Sequence, residues 1–272
     1  MASSIRLKPF LKWAGGKMRL IEQIRNTLPP GTRLIEPFAG SSAVFLNTLY
    51  PTYLIADINK DLIQLYQHIQ QEGMGFIDFA QDFFQPEYNN PATYNHLRNE
   101  FNSTSDPRRK SAIFIWLNRH GYNGLCRYNA SGRFNVPFGR YNNPKFPLTE
   151  ILVFHQRAQS AKFLCDDFRN IMNQARPGDV VYCDPPYIPL TQTANFTSYS
   201  SSRFGLAEQK ELAEMARKLA RNGIPVIISN HSTTLIQTIY AGAQTHHFDV
   251  QRNISCNGKN REKASELLAV FT

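Results

Sequence analysis

The chain has 272 residues, and its 30 Lys and Arg outnumber its 21 Asp and Glu, which gives a formal net charge of +9. Hydrophobic residues make up 42% of the chain and charged residues 19%, a composition that excludes a disordered or collagen-like protein. The length allows one large domain or one domain with a sizeable insertion, and the positive charge makes nucleic acid the first partner to consider, against a basic protein that has no such partner.

Strands and helices alternate in the first and last parts of the chain. Strands are predicted at residues 32–36, 53–57, 179–183, 224–229 and 267–271. An amphipathic helix is predicted at residues 206–222, and Ser41 and Ser42 are expected to cap a helix that starts at Ala43. The alternation predicts an α/β fold with a mostly parallel sheet.

The middle of the chain lacks this alternation. Helices are predicted at residues 62–69, 76–84 and 110–120, and a polar stretch rich in Gly and Asn follows at residues 121–141. Residues 98–145 carry nine Lys and Arg against two acids. We therefore divide the chain into a discontinuous domain, residues 1–59 and 160–272, and an inserted basic domain, residues 60–159.

The cysteines and the apolar segments narrow the class of protein. No Cys-x-x-Cys pair occurs and no cysteine has a His at the spacing of a zinc site, so neither a metal site nor a disulfide framework is predicted. The first residues lack the apolar core of a signal peptide, and no run approaches the roughly 18 to 20 apolar residues of a membrane span. These features predict a cytoplasmic protein that has no membrane partner.

Asp184, Pro185, Pro186 and Tyr187 follow an apolar strand, where ligands of open α/β sheets bind. The lone pair of an adenine amino group is delocalised into the ring, so the nitrogen is a poor nucleophile. A carboxylate and a backbone carbonyl that accept its two N–H groups can draw it toward tetrahedral geometry, and Asp184 and Pro185 can supply them. Tyr187 can stack on the base. The alternative is an ordinary turn at the end of a strand.

Two further segments have the residues of a ligand site. Gly40 ends the segment Glu-Pro-Phe-Ala-Gly at a strand-to-helix turn, where a ligand can approach the backbone. Asp57 follows 17 residues later, near the roughly 20 expected for an acid that binds ribose hydroxyls, or it caps the next helix. Near the N-terminus, Trp13 offers a flat apolar wall and Lys17 an anion partner, although the segment could also be a basic arm.

Four motifs, taken together and in their order along the chain, resemble those of the Dam-type DNA adenine-N6 methyltransferases. They are Lys-Trp-Ala-Gly-Gly-Lys, Glu-Pro-Phe-x-Gly, Ala-Asp-Ile-Asn and Asp-Pro-Pro-Tyr. Residues 117–129 and 132–141 resemble the target-recognition hairpin of the enterobacterial members, and the likeness extends from about Phe10 to Phe271. It implies a Rossmann-like, S-adenosylmethionine-dependent methyltransferase sheet, formed by residues 1–59 and 160–272. It also implies that residues 60–159 form an inserted target-recognition domain of helices and a β-hairpin.

The resemblance implies roles for individual residues. The implied catalytic residues are Asp184, Pro185 and Tyr187. The implied S-adenosylmethionine site comprises Trp13, Lys17, Phe38, Gly40, Asp57, Asp167, Phe168 and Asp184. Apart from the resemblance, Phe196 and Tyr199 are candidates for the wall of the adenine pocket. The basic stretch at residues 252–261 is interpreted as a flexible loop near DNA, with plain solvent exposure as the alternative.

The DNA-binding residues that the resemblance implies fall into three groups. Lys12, Leu125, Arg127 and Pro137 correspond to base-reading positions, Tyr122 and Asn123 to a pair beside the emptied base stack, and Arg98, Asn129, Asn135 and Arg140 to phosphate contacts. The chemistry agrees, because an arginine can donate two hydrogen bonds to guanine O6 and N7. The alternatives are a solvated face, phosphate contacts without sequence information, and hairpin core.

The resemblance also implies the reaction and its partners. S-adenosylmethionine is expected to donate a methyl group to N6 of adenine in GATC, within double-stranded DNA, after the base flips out of the helix. We expect a monomer with no obligatory protein partner. A methyltransferase of a restriction–modification system with a different target site is the nearest alternative. A non-enzymatic DNA-binding protein and an RNA or protein methyltransferase are the more distant ones.

Overall fold

The computed structural model describes residues 6–187, 204–251 and 263–272. Seven strands form a single sheet: β1 (Arg33–Glu36), β2 (Thr52–Asp57), β3 (Ala161–Cys165), β4 (Asp179–Cys183), β5 (Val226–His231), β6 (Gln244–Gln251) and β7 (Lys263–Phe271). Their order across the sheet is β3-β2-β1-β4-β5-β7-β6. The first five in this order are parallel, and β7 pairs antiparallel with both β5 and β6. This mixed, Rossmann-like α/β sheet confirms the predicted fold class.

The described α-helices are α1 (Ile21–Thr27), α2 (Ala43–Asn47), α3 (Lys60–Glu72), α4 (Met74–Gln81), α5 (Pro91–Phe101), α6 (Pro107–His120), α7 (Leu148–Ala158), α8 (Phe168–Met172), α9 (Leu206–Arg221) and α10 (Thr234–Ile239). Asn90 and Asp106 cap α5 and α6 with their side chains, and a proline follows each of them at the first helical position. None of the helices in the described ranges is long and apolar enough to cross a membrane.

Successive strand residues point to opposite faces of the sheet, and each face has its own buried core. The helices α3 and α7 cover one face, with α6 packed on α3. Leu34, Tyr53, Ile55, Val180, Tyr182 and Ile227 belong to the buried core on this side. The helices α8, α9 and α10 cover the other, with Ile35, Leu54, Ala56, Val181, Cys183 and Ile228 beneath them. Both faces are therefore dry, as the apolar strands of a parallel sheet require.

The first core continues without a break into the middle of the chain. Tyr94 and Leu97 of α5 and Trp116 of α6 belong to the same buried cluster as the strand residues. The helical insertion thus packs directly on the sheet through α3 and α7, while α6 packs on α3. The division at residues 59/60 and 159/160 stays a prediction.

The polar stretch after α6 folds back on itself as an irregular hairpin. Two isolated antiparallel bridges, Gly121 with Phe138 and Tyr128 with Phe134, hold its arms together. Phe134 and Val136 are buried. We call residues 121–141 the recognition segment.

Two local expectations differ from the structure. The strand β6 was not predicted, because its residues are mostly exposed at the edge of the sheet and give no apolar run. Ser42 does precede α2, but its φ of 58° is left-handed and its side chain makes no capping hydrogen bond, so the expected side-chain cap is wrong.

Candidate functional site

The parallel strands bring the predicted catalytic carboxylate to the carboxyl edge of the sheet, directly after β4. Oδ1 of Asp184 accepts a hydrogen bond from Ser229 Oγ at 2.9 Å, and it lies 3.0 Å from Lys17 Nζ. Burial raises the pKa of Asp184, while the Lys17 ammonium and the Ser229 hydroxyl oppose that rise. Both contacts fix the orientation of the carboxylate. Ser229 lies on β5 and was missed, because nothing in its sequence context marks it.

Lys17 also organises Tyr187. Its Nζ donates to Tyr187 Oη at 2.6 Å and lies 3.7 Å from Glu266 of β7. The hydroxyl of Tyr187 donates to Glu266 at 3.3 Å, and the ring meets His231 edge-on at 4.3 Å. Burial lowers the pKa of Lys17, but the carboxylates of Asp184 and Glu266 outweigh it, so the net pKa is raised. Glu266 and His231 are partners in the β5–β7 register, a juxtaposition that no sequence spacing shows.

The backbone after Asp184 is fixed by a buried amide. Gln209 of α9 is fully buried, and its Nε2 donates to the Pro186 carbonyl at 3.0 Å. The Tyr240 hydroxyl and the Asn230 amide both donate to Gln209 Oε1. The turn that carries Pro185 is therefore held by the helix beneath it as well as by its own two prolines.

Asp57 ends β2 on the same edge of the sheet. Its two carboxylate oxygens accept the backbone N–H of Gly40 at 3.0 Å and of Asn59 at 2.9 Å. Burial raises its pKa, against these hydrogen bonds. The cap of α3 is Asn59, whose side chain accepts from Leu62 N, so Asp57 is not the helix cap. Ile58, which sequence reasoning did not single out, is 72% exposed beside it.

The glycine of the β1–α2 turn allows Trp13 to approach. Gly40 has a φ of +47°, and a Cβ there would lie 2.9 Å from Trp13 Nε1. Phe38 stacks on Phe168 with ring centroids 5.5 Å apart. Asp167 caps α8 and is paired with Arg169. The structure thus places Trp13, Gly40 and Asp57 around one turn. The Phe38–Phe168 pair joins the residues after β1 to the start of α8.

A second carboxyl group is buried near Asp184. Glu36, the last residue of β1, is 2% exposed, and its Oε1 has no hydrogen-bond partner among the described residues. The backbone N–H of Phe45 in α2 donates to this carboxyl group. Burial and the nearby Asp184 raise its pKa to about 8. An uncompensated buried acceptor at this edge fits a cationic ligand group.

The N-terminal segment joins this edge to the recognition segment. The backbone N–H and carbonyl of Lys12 bond to the Asn118 side chain at 2.9 and 2.8 Å. The Lys12 ammonium lies 4.2 Å from the centre of the Tyr141 ring. Gly124 has a φ of +60°, and a Cβ there would lie 2.3 Å from Lys12 Cβ. Lys12, Trp13 and Lys17 therefore reach the recognition segment, the Gly40 turn and Asp184 respectively.

Tyr122 and its neighbours occupy the start of the recognition segment. The Tyr122 side chain is 51% exposed, and its backbone N–H donates to the Pro137 carbonyl at 2.8 Å. Asn123 adopts a φ of +53°, and its backbone N–H donates to Tyr141 Oη at 2.8 Å. Leu125 packs partly against the core. Tyr122 and Pro137 are thereby neighbours on the surface of the protein.

Four of the remaining predicted DNA-binding residues, Arg98, Arg127, Asn129 and Asn135, have partners within the protein. Nη1 of Arg98 donates to the Val136 carbonyl at 3.0 Å. The side-chain oxygen of Asn129 accepts from the backbone of Ser131 and Arg133 and shapes the hairpin tip. The guanidinium of Arg127 bonds to Asn135, and Arg140 is exposed with a φ of +54°. Phe196, Tyr199 and residues 252–261 lie outside the described residues.

Comparison with known proteins gives one family over most of the chain. The model of the D12 class N6 adenine-specific DNA methyltransferases matches residues 13–254. The chain is 49% identical over 264 residues to a DNA adenine methylase of Salmonella typhi, and 48% identical to one of Escherichia coli, covering 97% of this chain and 95% of each relative. A DNA adenine methylase of Vibrio cholerae is 47% identical over 266 residues, or 97% of this chain and 96% of the relative.

Proposed function

The chain belongs to the D12 class N6 adenine-specific DNA methyltransferases, and from this premise we propose that it methylates N6 of adenine within GATC, using S-adenosylmethionine and flipping the base. That it is an adenine-specific DNA methyltransferase follows from the family and its relatives. The observation that carries the proposed chemistry is the fixed carboxylate of Asp184, oriented by Lys17 and Ser229 at the end of β4.

Asp184 and Pro185 act on the amino group of the adenine. The Asp184 carboxylate accepts one N–H of N6 and the Pro185 carbonyl accepts the other, so the nitrogen lone pair turns away from both. Because Lys17 and Ser229 already hold the carboxylate, little reorganisation is needed when the base arrives. Tyr187, held at its hydroxyl by Lys17 and Glu266, presents its ring as a stacking surface for the base.

The residues present fit S-adenosylmethionine. The uncompensated Oε1 of Glu36 suits the α-ammonium group, and Asp57 suits the ribose hydroxyls. Trp13 and the exposed Ile58 offer apolar surface for the rest of the molecule. When bound, S-adenosylmethionine supplies an electrophilic methyl group on a sulfonium sulfur. The role of the protein is to bring N6 and that methyl group into line.

The recognition segment is the proposed reader of GATC. Arg127 donates to guanine O6 and N7, Lys12 contacts the first guanine, and Leu125 and Pro137 pack on a thymine methyl group. Tyr122, half exposed at the start of the segment, fills the gap that the flipped adenine leaves. Arg98, Asn129 and Arg140 are the proposed backbone contacts, and the present partners of Arg98 and Asn129 mean that these two residues also brace the hairpin. Asn135, the fourth position that the resemblance implies, bonds to Arg127 instead.

The proposed substrate is double-stranded DNA, and the proposed site of action is the cytoplasm of a bacterial cell. A monomer suffices, because the proposed catalytic, cofactor and recognition residues all come from one chain. The positive charge of +9 favours association with DNA of any sequence before GATC is found.

The test is methyl transfer from labelled S-adenosylmethionine to two matched duplexes. One has a single GATC and the other has its adenine replaced. Label in the GATC duplex alone supports both the chemistry and the target. Equal label in both duplexes contradicts the GATC assignment and favours the alternative, a restriction–modification methyltransferase with another target. A methylation map of mixed-sequence DNA then identifies that target. No label in either duplex contradicts the proposal.

A further inference from the structure

The guanidinium of Arg127 is held along one edge by a single residue across the hairpin. Its Nε–H donates to Oδ1 of Asn135 at 2.8 Å, and its Nη2 donates to the Asn135 backbone carbonyl at 3.3 Å. Nε and Nη2 form the side-on edge of the planar group. The N–H groups that remain, on Nη1 and Nη2, form the end-on edge. The contact therefore selects which edge of Arg127 faces away from the hairpin.

Asn135 is itself placed by the hairpin backbone. Its N–H donates to the Arg127 carbonyl at 3.1 Å, so the two residues are tied by backbone and side chain together. Its chain neighbours Phe134 and Val136 are buried at 2% and 0% exposure. Asn135 cannot shift without disturbing both of these buried side chains.

The helix α5 and its C-cap residue Asn102 hold the two chain neighbours of Asn135, Phe134 and Val136. Tyr94 Oη and Arg98 Nη1 both donate to the Val136 carbonyl at 3.0 Å. The Asn102 side chain accepts from Phe134 N at 2.7 Å and donates to its carbonyl at 3.0 Å. The orientation of Arg127 is thus linked through Asn135 to a rigid helix, which keeps a long and flexible side chain in one arrangement before DNA binds.

We propose that Asn135 is a specificity-determining positioning residue, which acts through Arg127 by holding the Nε edge and presenting the end-on edge to a guanine. This inference rests on the proposed base reading by Arg127. It differs from a phosphate contact in a measurable way. A phosphate contact contributes to binding of every sequence, whereas an orienting contact contributes at the one base that Arg127 reads.

The experiment measures kcat/KM for methyl transfer on a GATC duplex and on duplexes with one GATC position replaced at a time. The discrimination ratio is kcat/KM on GATC divided by kcat/KM on the replaced duplex. Arg127→Ala is expected to lower this ratio at one guanine by about 5- to 150-fold. Asn135→Ala is expected to lower it at the same guanine by about 3- to 10-fold, with the ratios at other positions kept.

A double variant shows whether Asn135 acts through Arg127. In the Arg127→Ala background, Asn135→Ala is expected to leave the ratio at that guanine where Arg127→Ala alone put it. Arg140→Ala, at an exposed position outside this contact, serves as the reference for a backbone contact and should lower kcat/KM on all duplexes alike. Thermal melting of each variant checks folding. If Asn135→Ala does not fold, Asn135→Leu keeps a similar volume without the acceptor and carries the same expectation.

Three results would overturn this inference alone, and a fourth would overturn the base reading by Arg127 together with it. The first is that Asn135→Ala lowers kcat/KM on every duplex equally, as is expected of Arg140→Ala. The second is that the double variant has a lower discrimination ratio at that guanine than Arg127→Ala alone. The third is that Arg127→Ala lowers the ratio but Asn135→Ala and Asn135→Leu do not. The proposed base reading by Arg127 would then stand without Asn135. If Arg127→Ala itself leaves every ratio unchanged, the proposed base reading fails and this inference fails with it.

Discussion

The ammonium nitrogen of Lys17 lies 3.0 Å from Oδ1 of Asp184, although the two residues are 167 positions apart in the chain. The Lys17 side chain is only 5% exposed, and its further partners are Tyr187 and Glu266. A buried lysine beside two carboxylates keeps its charge, and that charge favours the ionised form of Asp184. Lys17 thereby favours the ionised Asp184 carboxylate, the hydrogen-bond acceptor of the proposed chemistry, against the effect of burial.

Replacing Lys17 is therefore expected to change the pH dependence of catalysis. The proposed mechanism needs the ionised Asp184 carboxylate. In Lys17→Met the pKa of Asp184 is expected to rise, so the acid limb of kcat/KM should move to higher pH by about 1 unit or more. The pH–rate profiles of Lys17→Met and wild type measure this shift. Lys8→Met, at an exposed position of the same segment, is the control and should keep the wild-type profile. An acid limb that stays in place in Lys17→Met contradicts this account of Lys17.

Glu36 is expected to reduce stability as the pH rises. Its pKa is raised by burial from 4.5 to about 8, so between these values the unfolded chain releases a proton that the folded chain retains, and the free energy of unfolding falls. Glu36→Gln removes this term. The difference in free energy of unfolding, variant minus wild type, should grow by about 1 to 3 kcal/mol between pH 5 and pH 8. Denaturant titrations at both pH values give this difference, and an equal value at both is the contrary result.

The same substitution tests the proposed role of Glu36 in holding S-adenosylmethionine. Losing the carboxylate that pairs with the α-ammonium group should weaken cofactor binding by about 10-fold or more. Calorimetric titration of wild type and Glu36→Gln compares the two affinities. Glu22→Gln, at an exposed acid in α1, is the matched control. Equal affinity in Glu36→Gln and wild type would place the ammonium group elsewhere.

Gly124 and Gly132 give a matched pair of substitutions in the recognition segment. Both have a positive φ, but a Cβ at Gly124 would lie 2.3 Å from Lys12 Cβ, whereas a Cβ at Gly132 meets nothing within 4 Å. Alanine at either costs about 1 kcal/mol of stability for its backbone conformation. Only Gly124→Ala should displace Lys12, and it should lower kcat/KM on GATC duplexes by about 10-fold more than Gly132→Ala does. Similar losses in both variants would show that the contact between Lys12 and Gly124 does not contribute to activity.

Tyr122 is expected to stabilise the opened duplex. With 2-aminopurine in place of the target adenine, flipping raises fluorescence, and Tyr122→Ala should reduce that rise because nothing fills the vacated stack. Tyr88→Ala, which removes another exposed tyrosine, is the comparison and should give the wild-type signal. A full fluorescence rise in Tyr122→Ala would sink the proposed role of Tyr122.

The sequence points to the residues on which the proposed chemistry depends, but to only some of the residues that contact them. Apolar strands and their terminal acids are local patterns, so Asp57 and Asp184 could be identified along with the strands β2 and β4. Ser229 and Glu266 reach Asp184 and Lys17 through strand pairing across the sheet, and no local pattern encodes a partner on another strand. That Oε1 of Glu36 has no hydrogen-bond partner among the described residues can be seen only once the surrounding residues are placed in the fold. The edge strand β6 has too few apolar residues to give a strand pattern.

The most direct test of the central claim is nucleoside analysis of GATC duplexes after incubation with S-adenosylmethionine and either wild type or Asp184→Asn. We expect N6-methyladenine with wild type, and a rate lower by about 100-fold or more with Asp184→Asn. Binding of the duplex and of S-adenosylmethionine is measured in parallel, and the variant should still bind the duplex. N6-methyladenine formed by Asp184→Asn at the wild-type rate, or a methyl group on another atom with wild type, would contradict the account.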